Sequence, residues 1–319
     1  MTGHDDSPIF VLGIGRSGTT LLARMLDRHP EVSIYLESRF LNVMPADGAS
    51  GTLASDAAAR LLDRIGDPAA QGVSRAAILQ RFATTDRSVR ALFDAVLRLR
   101  MEAHGKRRFG EKTPSHFAKI DVLRAWYPAA RFVCLLRDPR DAYASFAHSP
   151  DHAGAGWADR TLLGRCLYWN HYRDAVAAAK RRFPAQVHEV ELTALVRDPD
   201  ATLRALCAFL GLAYDPRMRA VGENNSSFAE TRDAGGLRTE VLDRKDRLRP
   251  WETRAIEMLC GEWMQAEGLP LPAGSRRVIA VLSALGGYRL AARLHRAIRA
   301  RRAARGRGRR GRRARLSGG

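Results

Sequence analysis

The feature that most constrains this chain lies near its start. An apolar run from Pro8 to Ile14 (PIFVLGI) ends in glycines and leads at once into GRSGTTLLARMLDRHP. Such a run reads as a strand buried on both faces of a parallel sheet. In the following segment Leu21, Leu22, Met25 and Leu26 share one helical face, and Pro30 closes the helix. Strand, glycine loop and helix in this order present backbone N–H groups to an anion at a helix N-terminus. Strand-like signals return at VSIYLE, at RFVCLLRD and more weakly at VHEVEL. Helical patterns separate them, one starting near Pro139 and another, ATLRALCAFLGL, ending at Gly211. This alternation predicts an α/β fold, an open parallel sheet of the P-loop-like kind flanked by helices. Alanine- and leucine-rich residues at helical spacing over about 50–105 predict a helical insertion, and no internal repeat is present.

The loop itself spans Gly13 to Thr20, with glycines 13 and 18 at the separation found in the nucleotide-triphosphate motif G-x-x-x-x-G-K-S/T. Thr19 stands where that motif has its lysine. The lysine serves the β- and γ-phosphates of a nucleoside triphosphate, so its loss argues against NTPase or kinase chemistry. What remains is a cradle for a single phosphate. It is built from Gly15, Arg16, Ser17, Gly18, Thr19 and Thr20, with one guanidinium and three hydroxyls as further donors.

Charge separates the body from the C-terminus. Of 319 residues, 53 are Lys or Arg and 34 Asp or Glu, a net +19. Thirteen arginines and no acid lie between Arg289 and the end; without them the chain carries +6, a mild bias that suits an anionic ligand. Residues 1–275 are therefore read as one domain, and 276–319 as a basic extension, amphipathic in its first part and low-complexity beyond. The alternation of apolar and basic residues there is compatible with docking on an anionic membrane surface. The four cysteines, Cys134, Cys166, Cys207 and Cys260, are widely spaced without a CxxC pair and read as buried reduced thiols. The first ten residues carry acids where a secretory signal has basic groups, and no apolar run approaches a membrane span. The expectation is a cytoplasmic protein, peripheral to the membrane if the extension docks.

GRSGTTLL resembles the 5′-phosphosulfate loop of sulfotransferases that use 3′-phosphoadenosine 5′-phosphosulfate (PAPS), and RFVCLLRDPRDAYASF resembles their 3′-phosphate motif. In that motif a strand-end arginine and a serine eight residues later hold the nucleotide's 3′-phosphate; here these are Arg137 and Ser145. The likeness extends to the tyrosylprotein-sulfotransferase-like branch through Arg16, Arg24, His29-Pro30, Glu37 and Arg39, and through Glu111-Lys112-Thr113-Pro114 and Trp169-Asn170. It covers about residues 8 to 265. Two segments depart from the family pattern. Leu192-Thr193-Ala194-Leu195-Val196 lacks the tyrosine that touches the nucleotide, and the late loop reads Asp243-Arg244-Lys245, leaving Arg244 and Lys245 as its candidate phosphate contacts.

The resemblance implies in-line transfer of a sulfuryl group from PAPS, a co-substrate, to an acceptor hydroxyl. It gives Glu37 the role of general base, and Lys112 and Arg16 the screening of the transferred group. Arg39 and His116 are assigned to the acceptor side. Fixed cations replace a metal in this scheme, and His29, His116 and His148 are too scattered to suggest a metal site. The acceptor is expected among small molecules, carbohydrates or lipids, with nucleic acid an improbable partner. A small-molecule kinase would use only the first loop, and a nucleic-acid-binding protein only the arginine-rich extension.

Overall fold

The computed structural model describes residues 7–44, 51–147, 161–220 and 242–271. His148, the stretch 221–241 leading to the late loop, and the extension 276–319 lie outside the described residues. Five parallel strands form one sheet in the order β2-β3-β1-β4-β5: β1 (Ile9–Leu12), β2 (Val32–Leu36), β3 (Arg108–Lys112), β4 (Arg131–Leu136) and β5 (Val187–Glu191). The chain is thus an α/β protein with a parallel sheet between helices, as its alternating pattern predicts.

β1 is central. Helix α1 (Thr19–Arg28) carries the chain out to β2 at the edge. It then runs through α2 (Phe40–Val43), α3 (Ser55–Leu62), α4 (Arg75–Ala83) and α5 (Val89–Ala103) before β3 slots in beside β1. The expected helical insertion is therefore α3 to α5. Next come α6 (Ile120–Trp126), β4 on the other flank of β1, α7 (Pro139–Ala147), α8 (Leu162–Arg182), β5, α9 (Leu192–Arg197), α10 (Pro199–Leu210) and α11 (Pro250–Ala266).

β3 carries no apolar signature of its own. Its sequence is RFGEK, yet all five residues are buried. Polar groups compensate the three charges: Arg108 donates from Nε to the Ser7 carbonyl and from NH1 to the Leu210 carbonyl, both at 2.6 Å, while Glu111 and Lys112 meet partners described below. A buried charge is tolerable only with such pairing.

Alternate residues of the strands feed two cores, as the period of two requires. Ile9 and Val11 of β1, with Ile34, Val133 and Leu135, pack against α1 and α10. Phe10 and Leu12 face the other layer, with Phe109 and Phe132, where α5, α6 and α8 lie. Phe93 of α5 is fully buried there, its ring centroid 4.8 Å from that of Phe40 and 6.0 Å from that of Trp126. It thus ties the insertion to the body of the domain. Phe93→Ala is expected to cost about 3–5 kcal/mol of unfolding free energy, read from a lower urea midpoint.

Candidate active site

Parallel strands place all their carboxyl ends on one edge, where ligands of open α/β sheets bind. That edge gathers the sequence-predicted residues. The glycine loop follows β1, Glu37 follows β2, Lys112 ends β3, Arg137 follows β4, and Leu192 follows β5.

The loop is shaped by its own contacts. Arg16 (φ 69°) and Gly18 (φ 91°) are left-handed, and Gly18 caps α1. A Cβ on Gly18 would fall 2.5 Å from Leu192 Cδ1, so a side chain is excluded by space as well as by backbone angle. The Ser17 hydroxyl donates to the Ile14 carbonyl at 2.7 Å and closes the turn from inside. Thr19 and Thr20 begin α1, where no carbonyl of the helix reaches the first-turn N–H groups. These groups face the sheet edge with the positive end of the helix dipole.

At the ends of β2 and β3 lies an ion pair. Lys112, 1% exposed, donates from Nζ to Glu37 Oε1 at 2.6 Å and to Thr20 Oγ1 at 3.0 Å. The Glu37 carboxylate is 40% exposed, and its Oε2 accepts from Arg39 NH2 at 3.0 Å. Burial pushes the Glu37 carboxyl up, but the Lys112 ammonium, followed by Arg39, outweighs it and holds the group below the usual glutamate range. For Lys112 the balance is reversed. Burial, with some repulsion from Arg24, lowers its affinity for a proton despite the attraction of Glu37.

A second cluster sits beyond the end of β4. Arg137 NH1 donates to the Arg16 carbonyl at 2.5 Å, while Arg16 Nε lies 3.4 Å and Arg244 NH1 3.5 Å from Ser145 Oγ. Two guanidiniums, those of Arg16 and Arg244, therefore approach one serine hydroxyl, and that of Arg137 lies close enough to both to feel their charge. Burial first, then the like charges of Arg244 and Arg16, push Arg137 down to about 10 against the pull of Asp141. Like charges held this close are an arrangement that an anion would relieve. Trp169 Nε1 donates to the Arg137 carbonyl at 3.1 Å and steadies the strand end. The Lys245 backbone N–H donates to Asp141 Oδ1 at 2.7 Å, while its ammonium meets Asp243 at 3.2 Å.

His116 is fully buried, with Nδ1 3.0 Å from Glu111 Oε2, and so lies beneath the edge instead of on the acceptor side. Arg39 remains at the mouth, with its side chain 59% exposed. Sequence reasoning missed two contributors. Glu111 is one, discussed below; its signal was its place beside Lys112. Gly66 of the insertion is the other: its N–H donates to the Ser38 carbonyl at 3.0 Å, and a Cβ there would fall 2.4 Å from the Glu37 carbonyl oxygen. No motif flags a lone glycine of this kind. Among the described residues no group of three or more His, Cys, Asp or Glu side chains could hold a metal, and no helix is long and apolar enough to cross a membrane. All four cysteines are free and buried.

Comparison with known proteins bears on family and fold. The profile of the sulfotransferase family matches residues 8–216, and the chain belongs to that family. Its relatives include the nodulation protein NoeE of Sinorhizobium fredii, 35% identical over 246 residues that make up 67% of this chain and 52% of NoeE. Protein-tyrosine sulfotransferase 1 of Danio rerio is 27% identical over 221 residues, 66% of this chain and 55% of that protein. The chain thus spans about half the length of each. Among solved structures, the sulfotransferase domain of the Synechococcus PCC 7002 olefin synthase superposes with a TM-score of 0.56 at 18% identity, covering 85% of this chain and 99% of that domain, a likeness of fold.

Gly66→Ala is expected to destabilise the protein by about 1–3 kcal/mol through the clash with the Glu37 carbonyl, seen as a lower melting temperature.

Proposed function

We propose that the protein transfers the sulfuryl group of PAPS to a hydroxyl acceptor. In this reading the acceptor oxygen attacks sulfur, the bond from sulfur to the bridging phosphate oxygen breaks, and adenosine 3′,5′-bisphosphate leaves. Glu37 takes the acceptor proton. Lys112, together with Arg16, screens charge on the sulfuryl oxygens and on the bridging oxygen. The first-turn N–H groups at Gly18, Thr19 and Thr20, with Gly15 and Ser17 shaping the loop, bind the 5′-phosphate. Arg137, Ser145 and Arg244 bind the 3′-phosphate, with Lys245 at the rim.

The observation that carries this reading is the convergence of the two anion grips through Arg16. Its carbonyl is held by Arg137, and its guanidinium reaches Ser145, although the loop and the β4 end are more than a hundred residues apart in the chain. A base within 2.6 Å of a buried lysine, next to Thr20 of the same loop, puts proton removal and charge stabilisation side by side. Family relatives whose names state an acceptor are directed to protein tyrosine and to a hydroxylated menaquinone. For this chain the class is a small-molecule, carbohydrate or lipid hydroxyl, with the basic extension as a contact to an anionic membrane surface at the cytoplasmic side.

Glu37→Gln should lower sulfate transfer from radiolabelled PAPS into a host lysate by about 10²–10³ while leaving bisphosphate affinity by calorimetry unchanged. Near-normal transfer in that variant overturns the base assignment. Because Lys112 helps hold Glu37 ionised to low pH, the acid limb of the rate profile should lie below the ordinary glutamate range. In Lys112→Met the limb should move to higher pH, whatever the loss of rate. Adenosine 3′,5′-bisphosphate at a hundred times its dissociation constant should stabilise the fold by about 2.7 kcal/mol. At the same ligand concentration Arg137→Ala should lose most of that gain in a thermal melt.

A further inference from the structure

Glu37 belongs to a turn with unusual backbone angles. Both Glu37 and Arg39 are left-handed, each with φ 54°, a conformation that carries a cost for residues with a side chain. Such geometry persists only where the surroundings impose it. Here the surroundings are the three residues 111–113 at the end of β3. The N–H of Glu37 donates to the Lys112 carbonyl at 2.7 Å. The N–H of Ser38 donates to Glu111 Oε1 at 3.2 Å. Arg39 N–H donates to Thr113 Oγ1 at 3.0 Å, and Phe40 N–H to Ser38 Oγ at 3.2 Å. Both of those hydroxyls in turn donate to Glu111 Oε1, Ser38 at 2.8 Å and Thr113 at 2.5 Å. Four consecutive backbone N–H groups are thus fastened to one strand end. Three of the four fastenings run to a single carboxylate oxygen.

We infer that Glu111 is the positioning residue of this active site: its buried carboxylate, braced by His116, sets the 37–40 turn that aims Glu37 at the acceptor. The role suits a carboxylate, which accepts several hydrogen bonds and donates none when ionised. Glu111 is fully buried, so it touches neither solvent nor acceptor, and its second oxygen is occupied by His116 Nδ1 at 3.0 Å. His116 acquires a function here in place of acceptor contact. On the far side of the turn, the Gly66 N–H holds the Ser38 carbonyl, so the base is gripped from the sheet and from the insertion. Displacing a catalytic group by about an ångström can cost about 10² in rate without weakening ligand binding elsewhere.

The proposal rests on the reading of Glu37 as base, and the test separates the two. Turnover of PAPS and bisphosphate affinity are measured for Glu111→Ala, Glu111→Gln, Glu37→Gln and the double variant Glu37→Gln/Glu111→Ala. Glu111→Ala should lose about tenfold to a hundredfold in kcat, with bisphosphate affinity and KM for PAPS within about twofold of the parent. Glu111→Gln keeps an oxygen for Ser38 and Thr113 and should recover most of the rate, which a generally loosened fold would not do. The double variant should be no slower than Glu37→Gln alone, since a misplaced base and a missing base fail at the same step. If Glu111→Ala does not fold, Ser38→Ala carries the test, because it leaves the Glu111–His116 pair intact while cutting the Phe40 tether; a drop in kcat alone is again expected. Normal kcat in folded Glu111→Ala or Ser38→Ala, an equal loss of bisphosphate affinity, or multiplying losses in the double variant overturns the positioning role. Full turnover in Glu37→Gln sinks the base assignment, and this proposal with it.

Discussion

The insertion of β3 between β2 and β1 is the constraint on which the candidate site depends. Parallel pairing sets Lys112 opposite Leu36 on one side and Val11 on the other. One strand end therefore lies between the residue before Glu37 and the strand that feeds the phosphate loop. The ammonium of Lys112 has no other place to go. It is buried, and its two partners in reach are Glu37 and Thr20, one from each neighbouring connection. A buried cation left unpaired is costly, so the pairing of the strands and the assembly of the site stabilise one another. This also accounts for a strand made of RFGEK. Its charged residues build what stands at its end, and the sheet accommodates each of them with a partner.

The second cluster works by the opposite logic. Around Lys112 attraction to Glu37 is the leading contact; in the second cluster guanidiniums repel one another, with Asp141 offsetting part of the repulsion on Arg137. Arg16 and Arg244 approach one hydroxyl beside Arg137, and burial weakens the solvation of Arg137 and Arg244 at the same time. Arg137 is anchored on the Arg16 carbonyl, and its own carbonyl by Trp169, so the cluster does not relax by swinging apart. Electrostatic work has been done in advance on the protein side, and an anion entering the cluster recovers it. A cluster of guanidiniums at one end and an ion pair at the other give the edge two electrostatically distinct halves, and in the proposed reaction the first grips and the second reacts.

Much of this was legible in the sequence, for identifiable reasons. β1, β2 and β4 announce themselves by continuous apolar runs, and the loop by its glycines. Arg137 and Ser145 were readable because both lie in one local motif, at the end of β4 and along α7. β3 escaped because its burial is polar, and period and hydropathy carry no signal for a strand whose charges are satisfied by distant carbonyls such as those of Ser7 and Leu210. His116 was placed on the acceptor side because nothing in the sequence shows that its imidazole is buried against Glu111. Arg244 was named as a candidate from the late loop, but its meeting with Ser145, about a hundred residues away in the chain, is a contact that no spacing encodes.

The departure at Leu192 shows how a family position can change its residue and keep its place in the fold. It leads into α9 from β5, and its side chain fills the space that the absent Cβ of Gly18 leaves open. With Val196, Leu242 and Leu21 it forms a small apolar cluster of its own beside the phosphate loop. A polar ring at this position would add a hydrogen bond to a ligand; a leucine adds only shape. Arg244, two residues past Leu242, supplies its guanidinium to Ser145 from the same short segment whose leucine closes the apolar cluster. The late loop thereby seals one side of the edge with carbon and furnishes the other with a cation.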